Sequence, residues 1–246
     1  MGSKAKYAKY IVPILQKEID NIQTDTYIEC FVGGANIIDK IKCKNRFGFD
    51  RSETLIALLQ QASENFDKIL KEGNRELWDK GKRYVKEGVM PQDMSLADIG
   101  AIEFLGSYNN GGFTRGYANS TGKRNYYLEA YNNLKNQAPL LKNIIFKAQN
   151  YDELKPVAGA VIYLDPPYQN TKQYSYSSQG KINYSSFWDW VRKISKNNSV
   201  FISEQNAPND FDIIWEKEVL RSSATHNDFK ATEKFFKYKG DSNGTI

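Results

Sequence analysis

Residues 157–164 form an uninterrupted, uncharged run that closes on Asp165-Pro166-Pro167-Tyr168. A short continuous apolar run bounded by proline predicts a central strand covered on both faces. Such a strand needs layers of helix on either side, which commits the chain to an α/β architecture.

The rest of the chain fits that constraint. Residues 7–19 place Tyr7, Tyr10, Ile11, Ile14, Leu15 and Ile19 on a helical stripe, with Pro13 as a kink or a start. Residues 26–31 predict a short strand ending at Gly33-Gly34, residues 35–43 a helix, and residues 46–49 a second strand ending at Asp50. From residue 52 to about residue 106 the pattern turns helical, with Leu55, Leu58, Leu59, Ala62 and Phe66 in register and Ser95 and Asp98 as a capping pair. Asn110-Gly111 between aromatic residues predicts a hairpin. Residues 126–141 are again helical, and strands are predicted at 143–147, 157–164, 199–203 and 233–238. Strands alternating with helices give an open, mostly parallel sheet that binds its ligand beyond the carboxyl ends of the strands. Three strand ends carry unusual residues: Phe31-Val32-Gly33-Gly34, Asp50 and Asp165 with its two prolines.

Composition removes several function classes. The two cysteines, Cys30 and Cys43, and the single histidine, His226, do not supply a zinc site or a disulfide framework, so no metal is expected. Unpaired thiols suit a reducing cytoplasm. No apolar run approaches the ~18 residues that cross a bilayer, so no membrane partner is expected. The net charge of +5 is only a mild pointer to a polyanion, while 16 tyrosines suit either a core or a surface that stacks on bases.

The tetrapeptide carries chemistry. An exocyclic aromatic amine is a poor nucleophile because its lone pair is delocalised into the ring. Two acceptors placed on its N–H bonds draw the nitrogen towards a tetrahedral shape and localise that pair. Asp165 offers a carboxylate and Pro166 a carbonyl, on a segment stiffened by consecutive prolines. Tyr168 offers a ring for the base, which must leave the duplex to reach it. The same residues also serve as a plain strand-ending turn.

These motifs, in this order, make the chain resemble the Dam-type (D12 class) adenine-N6 DNA methyltransferases of phages and restriction systems. Gly2-Ser3-Lys4 is similar to the family's amino-terminal glycine–lysine element. The stretch Glu29-Cys30-Phe31-Val32-Gly33-Gly34-Ala35 is similar to its glycine loop, with Cys30 for the usual proline and Ala35 for the last glycine. Gly48-Phe49-Asp50 matches the acidic end of its second strand, and Asp165 to Tyr168 its catalytic tetrapeptide. The segment ahead of Lys4 is shorter than is usual in the family.

The resemblance implies a Rossmann-like sheet that uses S-adenosylmethionine. Residues 1–51 and 125–246 would form the catalytic domain, and residues 52–124 an inserted helical and hairpin target-recognition subdomain. It implies Asp165, Pro166 and Tyr168 as catalytic. Lys4, Phe31, Gly33, Gly34, Asp50, Tyr151 and Asp165 would border the methyl donor, with Asp50 on the ribose hydroxyls and Lys4 near the methionine carboxylate. Each also admits a structural role: Phe31 as core, Asp50 as a helix cap, Lys4 as a solvated charge, Tyr151 as packing. Double-stranded DNA is the implied partner, with a cognate restriction enzyme possible in systems of this type. Arg115, Lys123 and Arg124 in one loop, and Lys172 and Tyr174 in the loop after the tetrapeptide, are the candidates to touch it. Glu204-Gln205-Asn206 follows another strand end and fits either the same cleft or a cap. The same amine chemistry also serves cytosine N4, RNA or a protein glutamine, and an inactive binding module is a further alternative.

Overall fold

The computed structural model describes residues 4–118, 124–155, 157–169, 182–222 and 228–240 of the chain. Lys123, Lys172, Tyr174 and His226 lie outside them. The strands are β1 (Thr26–Cys30), β2 (Asn45–Asp50), β3 (Ile144–Ala148), β4 (Val161–Leu164), β5 (Ser199–Glu204), β6 (Phe211–Ser222) and β7 (Asp228–Tyr238). They form one sheet in the order β3-β2-β1-β4-β5-β7-β6. The first five are parallel. β7 runs antiparallel to β5, and β6 antiparallel to β7. The order reverses between β1 and β4, which makes that crevice the topological switch point.

Side chains alternate across the sheet with the two-residue period of a strand. Tyr27, Tyr163, Phe201 and Phe235 face one core, shared with Ile11, Leu15 and Ile19 of α1 (Ala8–Ile22). Ile28, Cys30, Ile162, Leu164, Val200 and Ile202 face the other, where a helix over Tyr184–Ser195 contributes Phe187, Trp188 and Val191. Pro13 lies inside α1 on its exposed side, so the Lys9 carbonyl that loses a partner faces water.

The predicted helical stretch consists of α2 (Glu53–Glu64), α3 (Arg75–Glu87) and α4 (Leu96–Leu105). Ser52, Asn74 and Ser95 cap them, and Ser95 with Asp98 completes the expected capping box. α2 faces two ways. Gln60 donates to the Phe146 carbonyl of β3 at 2.9 Å, while the opposite side of α2 packs on α4. Gly100 makes the second contact possible, since a methyl group there would stand 2.1 Å from the Thr54 carbonyl oxygen. Gly100→Ala is therefore expected to cost about 2 kcal/mol. Thermal unfolding should show this as a fall of roughly 4–8 °C. α5 (Tyr126–Leu141) leads back into the sheet, and the Tyr184–Ser195 helix, α6, precedes β5.

Four expectations need correction. Residues 35–43 are not a helix but a single turn at Ile38–Lys40. Ala35 enters the segment at φ 56°, and Ile37, Ile38 and Ile41 are all buried, so the apolar residues do not form one stripe. Gln137 satisfies the loop instead, donating to the carbonyls of Gly34 and Ala35 and to Asp39. The hairpin is also absent among the described residues. Two tight turns, Tyr108–Asn110 and Gly112–Thr114, occupy its place, closed by one antiparallel bridge between Ser107 and Tyr117. Gly111 has φ −92°, whereas an Asn-Gly hairpin turn needs it positive. The Ser107 hydroxyl accepts from the Gly112 N–H at 2.9 Å and fixes the alternative. The strand predicted at 157–164 begins only at Val161, because Gly159 turns at φ 72° and Asn198 binds Val157 and Ala160. The last strand is longer than predicted, starting at Asp228, because β6 pairs along its whole length.

Candidate active site

Register brings the unusual strand ends together. Cys30 of β1 pairs with Leu164 of β4, so the glycine loop and the tetrapeptide leave the sheet side by side at the switch point. Asp165, Pro166 and Tyr168 stand there, with Pro166 buried and the other two partly open.

Lys4 lies beneath the turn and is 8% exposed. Its ammonium is 3.1 Å from the Asp165 carboxylate and donates to Glu233 of β7 and to the Tyr168 hydroxyl. The Tyr168 hydroxyl in turn donates to Glu233. The ammonium also sits 4.8 Å from the centre of the Tyr168 ring. Burial pulls the Lys4 pKa down, but the two carboxylates outweigh it and hold it above the ordinary value. Burial pushes Asp165 up to about 6, against the opposing pull of Lys4.

Two more carboxyls flank the turn. Glu29 on β1 is 3% exposed, and burial together with Asp165 raises it well above the carboxylate range. Glu204 at the end of β5 accepts from the Gln169 N–H at 3.2 Å and the Gln205 N–H at 2.7 Å. Burial raises it to about 7 despite those bonds. Of its two readings from the sequence, the structure shows the cap: Glu204 ties down the exit of the tetrapeptide.

A pocket opens at the ends of β1, β2 and β3, lined by Phe31, Asp50, Gln149, Asn150 and Tyr151, among others. The Phe31 ring lies 5.4 Å from Tyr151 and 6.2 Å from Phe187, and Tyr151 lies 5.0 Å from Trp190. Phe31 is held at φ 66°, a strained setting for an aromatic residue, and Gly33 follows at φ 51°. Asp50 accepts from the Gly33 N–H at 3.1 Å and the Ser52 N–H at 3.0 Å. Burial nevertheless leaves its pKa raised. Aromatic faces, a carboxylate at a strand end and a bare backbone loop suit an adenosine group and its ribose diol. Among the described residues, no cluster of three His, Cys, Asp or Glu side chains suits a metal ion. No helix among them is long and apolar enough to cross a membrane.

A family profile described as D12 class N6 adenine-specific DNA methyltransferase matches residues 1–90 and 91–234. The chain belongs to this family. It is a Rossmann-like methyltransferase that moves a methyl group from S-adenosylmethionine to adenine N6 in DNA. This separates it from the cytosine-N4, RNA and protein-glutamine alternatives and from an inactive module. No curated protein gives a sequence match. Among solved structures, the rRNA methyltransferase aviRa from Streptomyces viridochromogenes superposes with a TM-score of 0.43 at 9% identity, over 96% of this chain and 84% of that one. That similarity is too low to bear on function.

The methyltransferase spreads its other candidate residues more widely. Arg115 is exposed on the turn that replaces the hairpin and has no ion pair among the described residues. Arg124 is also exposed, but its guanidinium forks onto Glu129 at 2.8 and 2.9 Å and lies over the Tyr126 ring. Gly34 lies on the glycine loop, where an added methyl group would meet the Asn36 side chain at 2.8 Å.

Sequence reasoning gave no role to Glu233, Phe187 or Trp190, all of which touch the site residues. It also missed Glu103 of α4, whose carboxylate accepts from the Thr54 hydroxyl at 2.6 Å and is raised to about 7, chiefly by burial. The departure at Cys30 is easily accommodated. Its side chain is 1% exposed, and burial with Glu29 nearby pushes its thiol far above the usual range. Native methyltransferase treated with iodoacetamide should be alkylated at the partly open Cys43 and spared at Cys30 until denatured, as peptide mass spectrometry would report. Equal labelling would contradict the packing of β1.

Proposed function

We propose that Asp165 and the Pro166 carbonyl accept the two N6 hydrogens of an extruded adenine while Tyr168 covers its ring. One observation carries this reading. The tetrapeptide emerges at the switch point beside the glycine loop, with its carboxylate held by an ammonium. Ionised Asp165 draws the amine out of the ring plane and then holds the proton that leaves the methylated nitrogen. Phe31 and Tyr151 would grip the donor's adenine, Asp50 its ribose, and Gly33 and Gly34 would let the backbone approach its methionine part. S-adenosylmethionine, when bound, supplies the electrophilic methyl group. Lys4 would meet the donor's carboxylate only at the edge of its contacts with Asp165 and Glu233.

In the same reading, residues 1–51 and 125–246 are the catalytic part and residues 52–124 the target-recognition part, with α2 as the element common to both. Arg115, Lys123, Arg124, Lys172 and Tyr174 contact DNA. Arg115→Ala should weaken binding by about 1–3 kcal/mol if the guanidinium reads a base. Fluorescence anisotropy across salt concentrations checks this, and an unchanged affinity throughout removes Arg115 from the interface. Two free thiols support a cytoplasmic setting. The likeness to restriction-system enzymes supports a cognate endonuclease blocked by the same mark.

The direct experiment incubates the full chain with labelled donor and unmethylated DNA, digests the product to nucleosides and looks for N6-methyladenine. Donor binding without that product, in any sequence context, would refute the assignment of Asp165.

A further inference from the structure

We propose that Glu233 is a positioning residue for methyl transfer, acting through Lys4 and Tyr168 to set the carboxylate and the ring that receive the adenine. The proposal rests on the assignment of Asp165 and Tyr168 above and adds a residue that contacts neither base nor donor.

The fold explains how a residue so late in the chain arrives here. β7 enters between β5 and β6, with Glu204 opposite Lys234 and Ser203 opposite Phe235. Glu233 therefore lies one step beyond the carboxyl end of β5, level with the catalytic turn. Two-residue alternation puts it on the same face as Phe235, which packs in the core under α1. Lys4 descends from the turn before α1 onto that face. Glu233 is 1% exposed, and such burial needs partners for its charge. It receives the Lys4 ammonium and the Tyr168 hydroxyl together.

The consequence is a closed ring of contacts. Lys4 touches Asp165, Tyr168 and Glu233, and Tyr168 touches Glu233. With one ammonium shared by two carboxylates, the position of Lys4 over Asp165 depends on Glu233 holding the other side. The Tyr168 ring is fixed at its far end by the same carboxylate, which presets the face that meets the base. Without Glu233, Lys4 can close on Asp165 alone and the hydroxyl end of Tyr168 loses the bond to this carboxylate.

Three full-length variants test this with labelled donor and unmethylated DNA, beside the wild type. Glu233→Gln should lower kcat by about 10- to 100-fold with donor affinity within threefold. The acid limb of kcat/KM should also move to lower pH, because a repelling carboxylate is gone and Lys4 serves Asp165 alone. Glu233→Asp, which keeps the charge, should restore the position of that limb and much of kcat. Tyr168→Phe, which keeps the ring and loses the link, should lower kcat several-fold on a fold of unchanged melting temperature. It remains informative if Glu233→Gln does not fold. A Glu233→Gln enzyme with kcat within twofold of wild type would overturn the proposal. So would a loss of kcat that follows a fall in melting temperature and donor affinity while the pH profile stays put, and so would an unaltered Tyr168→Phe. Absence of N6-methyladenine from the wild type itself would instead overturn the Asp165 assignment on which the proposal stands.

Discussion

Asp165→Ala is expected to lower methyl transfer by about a thousandfold or more while leaving donor affinity within a few-fold. Preorganised groups aimed at the charge that develops in a transition state are worth about 10²–10³ each in kcat, and in the proposed mechanism Asp165 also takes the departing proton. The donor contacts proposed above line the pocket at the ends of β1 to β3, so binding should survive. The wild type carries a matching pH signature. Only the ionised carboxylate accepts both the N–H bond and the later proton. With its pKa raised to about 6, kcat/KM should fall as pH drops through that value. A bound sulfonium favours the carboxylate form, so the limb in kcat should lie lower still. Single-turnover measurements and calorimetric donor titration separate the two quantities. Equal loss of binding and turnover would show that Asp165 supports the fold rather than the reaction.

Lys4→Ala should do the second greatest damage, and to stability as well as rate. Removing it leaves the buried Glu233 and the partly buried Asp165 without their shared cation, a change that costs about 3 kcal/mol where a buried pair is broken. The sign with pH is fixed. Asp165 in the variant loses the interaction that lowers its pKa, so the acid limb of activity should move upward, opposite to the shift expected of Glu233→Gln. The stability deficit should shrink as pH falls through the raised carboxyl pKa, because the neutral acid needs no partner. Thermal melts from pH 5 to 8 read the second effect directly. A variant as stable as the wild type that has lost donor affinity more than tenfold would place Lys4 on the donor instead.

What the sequence disclosed followed the range of the interactions involved. The tetrapeptide, the glycine loop and Asp50 are local: each is a strand end whose neighbours in the chain announce it. The capping box at Ser95 and Asp98 and α5 were legible for the same reason. The single turn at Ile38–Lys40 was misread because apolar residues 37, 38 and 41 satisfy a helical count while being buried on every side. The Asn110-Gly111 signal was overridden by Ser107, whose hydroxyl takes the Gly112 N–H and selects tight turns. Glu233 was invisible as a site residue. Its strand was expected, but nothing near it in sequence says that its side chain ends beside residue 4. Phe187 and Trp190 sit on α6, where only tertiary packing against Phe31 and Tyr151 reveals their connection to the pocket at the strand ends.

The contact between Lys4 and Glu233 spans 229 positions of the sequence. Closing so long a loop costs entropy before it returns any contact energy, so such contacts tend to form late in folding. During refolding from denaturant, tryptophan burial around Trp78 and Trp188 can therefore be complete while methylation is still recovering. Catalytic competence in this enzyme then reports that the whole chain, from its first turn to its last strand, has closed.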